Sequence, residues 1–508
     1  YSTSTFTAAL STLTVSGLAP NTTYFFRVGS LNWNNAPNYV SAGSTSTLSN
    51  PVTIINPPFL DIFVSSITAR WAALPVSPSS STSEGYRLQA STASNFTGTL
   101  YSTSTFTAAL STLTVSGLDA NTTYYFRAGS LNWNATPNYV TLGSTSTLAN
   151  QPQNVLITGA FLSSSTLAWG IPSGGAQGYL VQASSTSFDG TGNILSSSTP
   201  NSQLSTLTVS GLLANTTYFF KAGSRNHNGA INFAAIVSTS TLANAPQKLA
   251  YDFVDTFISS ITAQWQALPN NPQDAASEGY VLEASTASNF TGTIYSSSTQ
   301  NVALSTLTVP GLSANTTYYF RTGSLDWNSK PNYTVLSATS SLANKPAPAV
   351  STFTIVGISS ITAQWLANSN PDWTQYRLDL STASNFTGTV FSSTTLNLSA
   401  TVTSLVPNTT YYAQVKAINN NGLSSQFENL SSTITLASQP GVVSPAFNPV
   451  YISSLTVNFS SGTPQNPAGT LYNVHLSSFS NFSVFFTSNV ANLYATFIDL
   501  AVNTTYFA

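Results

Sequence analysis

Apolar and polar residues alternate one by one through many short stretches of this chain, and nowhere do apolar positions fall at the three-to-four-residue spacing of an amphipathic helix. In the segment 51–149, Ile67, Ala69 and Trp71 alternate with Thr68 and Arg70, and Tyr86, Leu88 and Ala90 alternate with Arg87 and Gln89. Leu113 and Val115 mark a third stretch. A fourth sets Tyr124, Phe126 and Ala128 against Tyr125, Arg127 and Gly129, which the parity sends outward. After the loop 132–138, a last strand is expected from Tyr139 to Leu148. Successive side chains of a strand point to opposite faces, so each stretch reads as a half-buried strand. Short strands separated by turn residues predict an all-β antiparallel sandwich or barrel.

The pattern repeats. Asn-Thr-Thr-Tyr recurs six times, ending at Tyr24, Tyr124, Tyr218, Tyr318, Tyr411 and Tyr506, at spacings of 100, 94, 100, 93 and 95 residues. Trp71, Trp169, Trp265 and Trp365, with Phe459 in the fifth place, run in step and are expected in the core. A period of this length is too long for a solenoid unit and fits one whole sandwich. The predicted domains are 51–149, 150–243, 244–343 and 344–437, flanked by a partial domain 1–50 holding late strands only and a partial domain 438–508 lacking its last strand. Residues 1–18 and 101–118 are identical, and 1–50 differ from 101–150 at nine positions, which points to duplication with little divergence. Each end falls within a repeat, so the sequence reads as a window on a longer polypeptide, each partial domain being completed by its own continuation or by a neighbouring copy.

An early-strand Trp followed about fifty residues on by Leu-x-Pro-x-Thr-x-Tyr, as Trp71 is by Leu118–Tyr124, resembles the fibronectin type III domain; Leu18-Ala19-Pro20-Asn21-Thr22-Thr23-Tyr24 matches the second part in full, Pro407 keeps the Pro, and Ala120, Ala214, Ala314 and Val502 replace it. The resemblance covers the chain and implies a tandem array of seven-stranded antiparallel immunoglobulin-like sandwiches of a bacterial-type extracellular repeat protein. It also implies that the six marker tyrosines form structural tyrosine corners, each hydroxyl bonding back to the chain near the turn before its strand.

Junctions such as Leu48-Ser49-Asn50-Pro51 and Leu148-Ala149-Asn150-Gln151-Pro152 contain no flexible tether, so a stiff array is expected. Pro at the start of each first strand removes a donor from an exposed edge.

Composition narrows the function. Only 5% of residues are charged and the net charge is −2, which supplies neither the basic stripe of a nucleic-acid binder nor a polybasic membrane patch, and no segment is apolar enough to insert in a membrane. Little like-charge repulsion separates copies, so self-association is favoured. The absence of Cys excludes disulfides and thiolate sites. No catalytic, metal or cofactor site is expected: His227 stands where other repeats carry Trp, His475 falls on an outward position, and Asp252 with Asp255 is too thin for calcium, which takes six or more oxygens.

The candidate contact residues are aromatic: Tyr125 and Tyr319 directly after marker tyrosines, Trp33, Trp133 and Trp327 in the following loop, and Tyr139 and Tyr333 at the next strand. They are expected to pack on another copy or domain, to stack on sugar rings, or to be covered by neighbours in their own domain. Asn-x-Ser/Thr occurs fifteen times; in a chain this rich in Asn, Ser and Thr composition alone yields many such triplets and turn chemistry explains their recurrence in turns, with glycosylation the minor alternative. Together these features imply an extracellular, cell-surface structural protein, a subunit or segment of a filament whose partner is another copy or continuation of itself. The alternative is an adhesive or carbohydrate-binding array whose partner is a glycan or surface ligand.

Overall fold

The computed structural model describes residues 1–508, all β apart from two single-turn helices, Ser79–Ser81 and Gln273–Ala275. The chain forms two compact units, one of residues 1–244 with 271–277 and 326–330, the other of 245–270, 278–325 and 331–508.

Segment 51–149 carries seven strands. Thr53–Ile62, Ser66–Ala72 and Thr112–Ser116 form one antiparallel sheet in that order, and Leu100–Thr105, Gly85–Ser91, Thr123–Leu131 and Pro137–Ser146 form the other. Counting 1–50 as the first repeat, the same arrangement recurs in the third to fifth, 150–243, 244–343 and 344–437, except that the last strand of the third is split into Ile231–Phe233 and Val237–Ser240. The core lies between the sheets. Ile67, Ala69, Trp71, Leu88, Ala90, Val115, Tyr124, Phe126 and Ala128 are buried there, the inward halves of the alternating runs. Each early-strand aromatic meets a Tyr of the facing sheet: Trp71 and Tyr86 at 5.3 Å between ring centres, Trp169 and Tyr179 at 5.1 Å, Trp265 and Tyr280 at 5.3 Å, Trp365 and Tyr376 at 5.7 Å, and Phe459 and Tyr472 at 5.0 Å. Burying two rings in such a pair adds an edge or tilted ring contact to their large apolar area.

Three details depart from the alternation rule. Gly129, on outward parity, is buried: a Cβ there would meet Tyr139 Cδ1 and Pro137 Cβ at 2.8 Å, so only Gly lets the loop and next strand close over it. The last strand ends at Ser146 rather than Leu148, because the chain beyond leaves the sheet for the junction. Thr53–Ile62 shows no period of two, since register shifts at Ile54/Phe59 and Phe59/Ile62 carry Pro57 and Pro58 past the ladder.

The flanking segments form fewer strands. Residues 1–50 hold one hairpin, Thr23–Leu31 with Pro37–Ser46. Segment 438–508 holds a three-stranded sheet of Gly441–Val450, Leu455–Ser460 and Tyr494–Phe497, and a two-stranded one of Tyr472–Leu476 and Phe486–Val490.

The inter-repeat joint as candidate functional site

The marker tyrosines anchor the turn that opens each joint. Tyr24, Tyr124, Tyr218, Tyr318, Tyr411 and Tyr506 accept, through their hydroxyls, the backbone N–H five residues upstream, at Ala19, Asp119, Leu213, Ser313, Val406 and Ala501, over 2.9 to 3.1 Å. Burial pushes the Tyr124 phenol up to about 12, partly offset by the Asp119 N–H bond. Three residues before each of these tyrosines, the Asn of the marker takes a left-handed backbone, with φ of 44° at Asn21, 42° at Asn315 and 46° at Asn408. Asn tolerates that region better than most residues.

That geometry turns the Asn amide toward the following repeat. Asn21 Nδ2 donates to Thr82 Oγ1 at 3.1 Å and Glu84 Oε1 at 3.0 Å. Asn315 Nδ2 donates to Thr374 Oγ1 at 2.8 Å, and Asn408 Nδ2 to Thr470 Oγ1 at 2.9 Å.

A second amide reaches back from the following repeat. Asn132, 2% exposed, donates through Nδ2 to the Ser46 and Thr47 carbonyls at 3.2 and 3.1 Å, while its Oδ1 accepts the N–H groups of Asn134 and Thr136. Asn226 does the same to Ser146 and Thr147, and Asn419 to Ser340 and Ser341. Two residues on, Asn134, Asn228 and Asn421 donate to Thr45, Thr145 and Thr339 of the preceding repeat. The loop bonds fix the amide plane, so the donor end is aimed before the joint forms. Asp326 holds the corresponding place in the fourth repeat and keeps the loop bonds to Asn328 and Lys330.

Linker residues complete the closure. Asn138 Nδ2 donates to the Ser49 carbonyl at 2.8 Å and Asn232 to that of Ala149 at 2.8 Å; Asn344 and Asn370 bond reciprocally, as do Ser438 and Asn466. Each amide supplies a donor and an acceptor yet costs far less to desolvate than a charge. A chain rich in Asn and poor in charge can therefore bury polar junctions. Sequence reasoning explained the marker by its Tyr and missed both amides. The signal was present: eight residues after each of the first five marker tyrosines stand Asn32, Asn132, Asn226, Asp326 and Asn419.

The aromatic positions divide into two groups. Trp33, Trp133 and Trp327 are 104%, 60% and 55% exposed. Tyr125, Tyr139, Tyr319 and Tyr333 are half-buried, and two of them have a ring face taken by a cation of their own domain. Arg127 lies between Phe96 and Tyr139, 4.2 and 4.0 Å from the ring centres, and Arg321 lies between Phe290 and Tyr333, at 4.3 and 3.9 Å. A guanidinium between two rings gains cation–π attraction on both faces. The Tyr333 hydroxyl also donates to Glu283 Oε1 at 2.7 Å; burial, then the Glu283 carboxylate, push its phenol up to about 12. Cover by Arg neighbours of the same domain is one of the expected readings and holds for Tyr139 and Tyr333; the second ring, Phe96 or Phe290, was missed because it lies two strands away in sequence. His227 is exposed and His475 stacks on Phe485 at 4.0 Å.

Residues 346–433 match the Fibronectin type III domain. This segment holds the seven strands from Ala347–Val356 to Glu428–Ile434, with Trp365, Tyr411 and the Asn419 amide in the places described above. Among solved structures, the chain is similar to the FN1–FN3 domains of chicken CNTN1, at 15% identity over 56% of this chain and 98% of that one, with a TM-score of 0.19. It is also similar to a segment of two fibronectin type III domains from chicken tenascin, at 17% identity over 37% of this chain and 97% of that one, with a TM-score of 0.23. No curated protein matches the chain.

Proposed function

We propose that this chain is a structural segment of an extracellular surface fibre, made of tandem fibronectin type III-like sandwiches whose junctions resist bending. The observation that carries the reading is the two-sided amide joint between 1–50 and 51–149 and between 244–343 and 344–437, in which each of two neighbouring repeats places a preset Asn against the other. A flexible linker between independent domains has no use for such an arrangement. The reading includes no catalysis and no cofactor, and its partner is another copy or continuation of the same chain. The four ion pairs each lie within one repeat and join no two of them, so charge pairing supplies little of the cohesion. Assembly should therefore persist from low to high sodium chloride.

Electron microscopy of the full chain, unsubstituted and carrying Asn132→Asp with Asn419→Asp, tests the reading. The unsubstituted chain should show a narrow distribution of bend angles at each joint and the variant a broader one. Equal, broad distributions would overturn it. Exposed Trp33, Trp133 and Trp327 support the second reading, an array that stacks on sugar rings. Quenching of their fluorescence by soluble glycans, with no change in assembly on Trp133→Ser and Trp327→Ser, would favour that reading.

A further inference from the structure

The Asn-x-Ser/Thr triplets fall into structurally distinct classes. Asn21, Asn315 and Asn408 of the marker tetrapeptide spend their Nδ2 protons on the next repeat, so these amides are closed to chemistry. Asn95, Asn289 and Asn385 instead stand exposed on the turn that links two strands of the four-stranded sheet in their repeats, and Asn481 on the turn between the two strands Tyr472–Leu476 and Phe486–Val490. At the first three, Oδ1 accepts both the N–H and the hydroxyl of the Thr two residues on, at 3.2 and 2.6 Å, and at Asn481 it accepts the Ser483 N–H at 3.1 Å. In all four, Nδ2 donates to no protein acceptor and faces solvent.

We infer that Asn95, Asn289, Asn385 and Asn481 are sites of N-glycosylation on the folded chain, receiving sugar from a diphosphate-activated donor. In the transfer, Nδ2 bonds to C1 of the sugar, the C1–O bond to the diphosphate breaks, the diphosphate leaves with the electron pair, and Nδ2 gives up one proton to a base of the transferase. Hydrogen bonds to Oδ1 hold the amide in place and keep Nδ2 outward.

A second observation points to the same positions. The strands that follow these turns, Leu100–Thr105, Ile294–Thr299, Val390–Thr395 and Phe486–Val490, are sheet edges with no charge, no Pro and no register shift. Such an edge invites pairing with another chain, and a bulky hydrated group at its start obstructs this. In the third repeat the equivalent edge, Ile194–Thr199, follows the same turn built on Asp189, which bonds Thr191 identically but has no amide; there a carboxylate stands at the edge.

Peptide mass mapping of the full chain isolated from its native source tests the inference. Sugar is expected on the peptides of Asn95, Asn289, Asn385 and Asn481 and absent from those of Asn21, Asn315 and Asn408. In the purified folded chain, given an oligosaccharyl transferase and a polyprenyl diphosphate sugar, Thr97→Ala should abolish transfer to Asn95 while Thr97→Ser retains it. Unmodified peptides at all four turns, or equal occupancy of the marker Asn residues, would overturn the inference.

Discussion

Asn132→Asp isolates the joint from the fold. The carboxylate keeps Oδ1 as acceptor for Asn134 and Thr136, so the loop is retained, but it replaces the Nδ2 donor with an oxygen facing the Ser46 and Thr47 carbonyls. Two hydrogen bonds disappear, each contributing about 1 kcal/mol net, and a buried carboxylate is left facing two carbonyls, so the closed joint should lose at least about 2 kcal/mol. At 1.4 kcal/mol per factor of ten, the open population rises at least about thirtyfold. Opening exposes the junction around Ser49, which is 1% exposed when closed. Where opening is fast relative to cleavage, proteolysis follows that population. Native-state digestion of the full chain should therefore cut between residues 47 and 51 at least about thirty times faster in the variant, with cleavage inside 66–72 and 123–131 unchanged. An unaltered rate at the junction would refute the claim that these bonds hold it, and faster cutting throughout the repeat would show that Asn132 serves the domain alone.

Tyr124→Phe leaves the Asp119 N–H without its acceptor and should cost about 1 to 3 kcal/mol, read from the thermal unfolding of segment 51–149. Trp265→Ala empties the ring site against Tyr280 and should cost about 3 to 5 kcal/mol, seen as an earlier denaturant midpoint for its repeat alone. The Tyr333 phenol is raised from 10.0 to about 12, so its stabilising contribution is complete below pH 10 and lost as pH rises through 12; its tyrosinate absorbance should appear after that of exposed tyrosines, together with weakening of repeat 244–343. Asp252 is opposite in sign: burial opposes its charge, but bonds from Ser337 and Lys248 outweigh it and hold the carboxyl below 3.8, so the same repeat should lose stability as pH falls below that value, and Asp252→Asn should flatten the acid limb of its unfolding curve.

The sequence alone set the strand alternation, the repeat length and the inward residues, because burial on one sheet face imposes a period of two that can be read from residue types. The partners of exposed and polar groups were set only by the tertiary structure, because they lie far away in sequence. Arg127 meets Phe96 across the sheet and Asn132 meets Ser46 across a junction, and neither spacing has a local signature. The identical segments 1–18 and 101–118 make the division plain. In the second, Leu100–Thr105 pairs with Gly85–Ser91 and Thr112–Ser116 with Ser66–Ala72, and Val115 is 1% exposed. The first forms no strand and its Val15, the counterpart of Val115, is half-buried, while the Tyr1 ring lies 5.8 Å from Tyr24 as Tyr101 does 5.7 Å from Tyr124. Strand propensity is local, but the backbone that satisfies a strand's hydrogen bonds and the sheet that buries its apolar side come from residues distant in sequence, which the sequence pattern does not name.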